Sequence, residues 1–66
     1  MNNLAEGIRD ELRRNRELLA EYEKIGPAGA FGAAMIRQDI KLGEDAQASG
    51  NVINMLAVYK KLTQNE

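Results

Sequence analysis

With 66 residues, the chain has room for one domain at most, close to the size at which a lone hydrophobic core supplies only about 3–5 kcal/mol. It has no cysteine and no histidine, which excludes disulfide staples, thiolate metal sites and the commonest general base. Nine basic residues against ten acidic ones leave a net charge of −1, so no global field draws in DNA, RNA or an anionic membrane. The routes to stability that remain are regular helix packing and association with further copies.

Along the first third, Ala5, Ile8, Leu12, Leu19 and Tyr22 recur at steps of three, four and seven, which predicts a helix over about 3–25. Asn15 fills the gap in that series. A polar residue in a helical seam can set register and oligomeric state. Ile8, Leu12, Asn15, Leu19 and Tyr22 are therefore the candidate self-association face; the competing reading has the Asn15 amide bonding a nearby backbone group. Gly26 suits a left-handed helix end and Pro27 the first turn of a new helix, which places a corner at 25–28.

The second helix is expected over about 27–48, with two apolar edges. One edge carries Phe31, Met35 and Leu42 with Gln38 interrupting; the other carries Gly29, Ala33, Ile36, Ile40 and Gly43. Small residues on the second edge predict close contact with another helix, and Gly43 in a helix interior costs about 1 kcal/mol unless such a contact offsets it. Gly50 and Asn51 punctuate the chain again, and Val52, Met55, Leu56, Tyr59 and Leu62 form one face of a third helix over about 51–63. The tail after Leu62 is expected to fray. The expected fold is all-α: a single helical domain over 1–66, made of three short antiparallel helices packed into a homo-oligomer, because apolar edges on two sides of the second helix exceed what one short layer covers.

Catalysis is disfavoured. Ser49, Thr63 and the tyrosines have no histidine to activate them, and acidic neighbours such as Asp10 and Glu11 point about 100° apart on a helix, so they do not converge on one metal. No cofactor and no metal site is expected. The spacing Gly26-x-x-Gly29-x-x-Gly32 follows a helix and matches neither the dinucleotide fingerprint nor a phosphate loop. It is either a packing corner or exposed amides that attract an anion. Arg9, Arg13 and Arg16 form a row able to hold a phosphate, or a solvated face neutralised by Glu6, Asp10 and Glu17. Core packing is the ordinary role for Tyr22 and Tyr59, while Phe31 sits in the corner. No apolar run reaches the roughly 18–20 residues of a membrane span, and the polar start argues against a signal peptide, so the chain is expected in the cytoplasm, with no membrane partner.

The stretch RNRELLAEYEKIGPAGAFGAAMIRQDI, followed by an ASGNV turn and a last helix, resembles small helical proteins of phage and prophage genomes, over about residues 14–61. The resemblance implies a stoichiometric role in a bacterial host, by binding and blocking a component. In one form the chain is an interaction protein that presents an amphipathic helix to a host or phage protein, with the glycines serving packing alone. In another it is an oligomeric sponge that sequesters an anionic, nucleotide-like signal in counter-defence, with Gly29, Phe31 and Gly32 on the ligand and Arg13, Arg16 or Arg37 on its phosphate. A DNA-binding regulator ranks last, since the third helix has only Lys60 and Lys61 as basic residues and the second is balanced by Asp39, Glu44 and Asp45.

Overall fold

A computed structural model describes residues 3–66, so the first two residues of the expected domain lie outside the described residues. The described chain is all-helical, with no strand. Helix α1 covers Leu4–Ile25, a 3-10 turn covers Gly26–Gly29, α2 covers Ala30–Ser49 and α3 covers Val52–Thr63. Asn3 caps α1: its Oδ1 accepts from the Glu6 amide at 2.9 Å while its Nδ2 donates to the Glu6 carboxylate at 3.2 Å. Asn51 caps α3 in the same way, accepting from the Asn54 amide at 3.0 Å. Gly26 and Gly50 hold the two positive φ angles of the described chain, 82° and 68°, where a side chain would be strained.

The expected set of three short antiparallel helices is corrected on two points. From Leu4 to Ser49 the chain is helical throughout, interrupted only by the 3-10 turn, so one long helical run and a single short helix make up the fold. Drawn out straight, 46 residues at 1.5 Å each would reach about 69 Å. The long axis of the molecule is only 36 Å, so the run doubles back on itself at Gly26–Gly29. Ion pairs from Arg16 to Glu44 and from Arg37 to Glu23 join the two limbs in antiparallel register. Helix α3 then returns along α2 and runs the way α1 does, with Leu62 beside Asn15 and Glu66 beside Tyr22. The second helix proper starts at Ala30, because Pro27 opens the 3-10 turn instead.

Ile8, Leu12, Ile36, Ile40, Ala46, Met55 and Leu62 form the core. It follows from the second edge of α2, as the small residues require: a Cβ on Gly43 would stand 2.7 Å from Leu12 Cδ2 and 3.2 Å from Leu62 Cδ1. Gly43 is where all three helices meet, and this close approach offsets its low helix propensity. The expected face of α3 is only half used, since Met55 and Leu62 are buried while Val52 and Leu56 are exposed. No helix among the described residues is long and apolar enough to cross a membrane.

Candidate functional site

At the corner, the first turn of α2 presses on the last turns of α1. Gly29 is buried, and a Cβ there would run into the Tyr22 carbonyl oxygen; a Cβ at Gly32 would run into the Tyr22 ring. The Tyr22 hydroxyl in turn donates to the Glu66 carbonyl oxygen. Both glycines are therefore spent on packing against one tyrosine. Phe31, between them in sequence, projects outward and is 80% exposed. Beside the corner lies a shallow cleft of about 300 Å³, lined by Tyr22, Gly26, Pro27, Ala30 and Ala33, with the Glu23–Arg37 pair at its lip.

The expected arginine set does not converge on this cleft. Arg37 borders it but bonds Glu23 at 3.0 Å; Arg16 crosses to Glu44 at 2.7 Å; Arg13 faces Asp10 on its own helix at 3.6 Å. Ten residues separate Arg16 from Gly26, about 15 Å along α1. Thus Gly29, Phe31 and Gly32 share the corner segment and Arg37 borders the cleft beside it, while Arg13 and Arg16 stand apart, each beside a carboxylate.

The expected self-association face is corrected in its centre. Ile8, Leu12 and Asn15 are covered by the chain's own α2 and α3, and Leu19 and Tyr22 are half-buried against the same core. Asn15, with no exposed surface, holds a polar knot. Its Nδ2 donates to the Glu11 carbonyl at 2.8 Å and to the Leu62 carbonyl at 3.2 Å, and its Oδ1 accepts from Asn65 Nδ2 at 2.8 Å. Asn65 Nδ2 also donates to Asp39 at 3.0 Å, and Lys61 Nζ lies 3.4 Å from the other Asp39 oxygen. Arg14 seals the knot by donating to the carbonyls of Leu62 and Asn65 at 2.7 and 2.9 Å while pairing with Glu11. Among the described residues no buried side-chain nitrogen or oxygen lacks a partner. Asp39 and Asn65 were not singled out by periodicity, and the tail expected to fray is pinned by this knot.

The fold also leaves large apolar side chains uncovered. Ile25, Phe31, Met35, Leu42, Val52, Ile53 and Leu56 are all exposed, on a chain whose core holds about as many large side chains. Phe31, Met35 and Leu42 share the outer face of α2 at i, i+4 and i+11, with Gln38 between them. Among the described residues no three histidine, cysteine, aspartate or glutamate side chains gather to hold a metal. Comparison with known proteins gives no match to any protein family, curated protein or solved structure.

Proposed function

We propose that this chain is a non-catalytic interaction protein that self-associates and acts by binding and blocking another protein. The observation that carries this reading is the set of seven exposed large apolar side chains, on a fold in which, among the described residues, every buried side-chain nitrogen and oxygen has a partner. Soluble chains rarely leave such surface without a partner. The resemblance to phage proteins supports a host or phage protein, met in the bacterial cytoplasm, as the blocked component. Native mass spectrometry tests the reading first: a ligand-free oligomer is expected, followed by a stoichiometric complex with a protein recovered from host cells. A ligand-free monomer that recovers no protein would overturn it.

A second reading has one observation in its favour. The corner cleft has the Arg37 guanidinium at its lip and the start of α2, which has no side-chain cap, in its wall. A helix start of this kind favours an anion. An oligomeric sponge for a nucleotide-like signal would use these groups, and native mass spectrometry would then show nucleotide-sized extra mass that Arg37→Ala removes.

A further inference from the structure

The outer face of the molecule carries a knob and a hole. The knob is Phe31, the most exposed large apolar side chain described. The hole is an open groove of about 380 Å³ between α2 and α3, with Leu42, Ala46 and Ser49 on one wall and Asn54, Ala57 and Val58 on the other. It is roomy enough for a phenyl ring. The chain's own Phe31 does not reach it, since Phe31 and the groove lie about 20 Å apart along the same helix.

We propose that the groove receives Phe31 of a second copy, and that the exchange is reciprocal about a two-fold axis passing beside Gln38. The assignment rests on the self-association proposed above and names its surface. Register carries the argument. Phe31 and Asp45 stand seven residues to either side of Gln38, and Asp45 lies at the groove, so a two-fold axis at Gln38 that sets the two α2 helices antiparallel brings each Phe31 level with the other copy's groove. An isologous contact requires this pairing of i with j and j with i. All of these positions fall on one face of α2, since a seven-residue step returns almost to the same side of a helix.

Three further features fit the same axis. Gln38 is the sole polar interruption between Phe31 and Leu42 on that face, and an amide, being both donor and acceptor, pairs with its own copy across a two-fold. Residues 25–36 carry no charge, so the knob enters the groove without repulsion from Asp45, whose carboxylate faces Lys41 at 3.9 Å on its own helix. Met35 and Leu42, each exposed, come within one residue of one another across this axis and extend the contact. A buried phenylalanine removes about 150–250 Å² from water, so two of them supply a good part of the roughly 1,200 Å² at which specific interfaces begin.

The chain has no cysteine, so a single introduced thiol reports the axis. Under mild oxidation Gln38→Cys should form a disulfide-linked dimer, whereas Glu17→Cys, exposed on α1, should stay unlinked. In sedimentation, Phe31→Ala and Ala57→Glu should each raise the dimer dissociation constant about tenfold or more, with helical content unchanged because both sites are exposed. An equimolar mixture of the two variants should recover part of the association, since one intact knob then meets one intact groove. If the protein is oligomeric but Gln38→Cys links no faster than Glu17→Cys, or Phe31→Ala leaves association unchanged, the docking fails while self-association stands. If the unmodified protein is monomeric at every concentration, both fail.

Discussion

Two seams in this molecule share one pattern and meet opposite fates. On α1, Ile8, Leu12, Leu19 and Tyr22 are interrupted by Asn15; on α2, Phe31, Met35 and Leu42 are interrupted by Gln38. The first seam is filled by the chain itself, and its amide is locked by three hydrogen-bonding groups, the Glu11 and Leu62 carbonyls and the Asn65 side chain. The second faces outward, with its amide exposed. The difference lies in the opposing surface. Gly43 and Ala33, with Gly29 in the turn before them, let α2 approach α1 closely on its inner edge, and nothing among the described residues covers the outer one. An amide in an apolar stripe thus marks a contact without saying whether the partner lies in the same chain.

The largest expected effect falls on the inner seam. Leu62→Ala removes a fully buried side chain seated against Leu12 and Gly43, and such truncations cost about 2–5 kcal/mol, comparable to all the stability a chain of this size holds. The variant should lose its cooperative thermal transition by circular dichroism; a melt close to that of the parent would show that α3 is dispensable to the core. Asn15→Leu comes next. It leaves the Asn65 side-chain amide without its acceptor on α1 and the Leu62 carbonyl without one of its donors, and should destabilise by about 1–3 kcal/mol in urea titrations while leaving the number of subunits unchanged. Gln38→Leu is its counterpart on the outer seam: unfolding of the dilute monomer should shift by no more than about 0.5 kcal/mol, with tighter self-association as the visible change. Equal destabilisation by the two substitutions would erase the distinction between the seams.

Smaller effects sharpen the comparison at the corner. Gly29→Ala meets a backbone carbonyl, which cannot swing aside, and should cost about 1–3 kcal/mol, whereas Gly32→Ala meets the Tyr22 ring, which can turn. Matched denaturation curves should rank the two in that order. Arg16→Ala breaks a half-exposed pair with Glu44 and, like Gln38→Leu, should have only a small effect on stability, less than about 1 kcal/mol. A larger loss would mean that the pair fixes the register of the two limbs.

The helices were legible because their signals are local. Gly26, Gly50 and Asn51 act within four residues of where they stand, and the spacing of Ile8, Leu12, Ile36 and Ile40 is set by one helical period. The glycine corner was legible as a corner, and its packing role depends on Tyr22, seven residues before Gly29. The knot was not legible. Asn65 and its partners Asn15 and Asp39 are 50 and 26 residues apart, and no periodicity links an amide in a tail to a carboxylate on a helix. Asp39 read as a surface charge because acids are seldom buried; Lys61 and Asn65 make it an exception. The inner edge of α2 was legible from its small residues Gly29, Ala33 and Gly43, whereas the direction of α3 was not, because the spacing of residues cannot give it.

The Leu62 carbonyl oxygen receives three donors, from Arg14, Asn15 and the Asn65 amide, two of them from residues nearly fifty positions earlier in the chain. Ring closure over that separation costs entropy that no partial contact recovers. The α1–α2 hairpin, held by contacts around one turn, is therefore expected to assemble first, with α3 remaining an undocked amphipathic helix until this single oxygen is reached. In amide hydrogen exchange, α3 should open as a unit at lower free energy than the hairpin, and the chain's least protected segment would then include three of its exposed apolar side chains, Val52, Ile53 and Leu56.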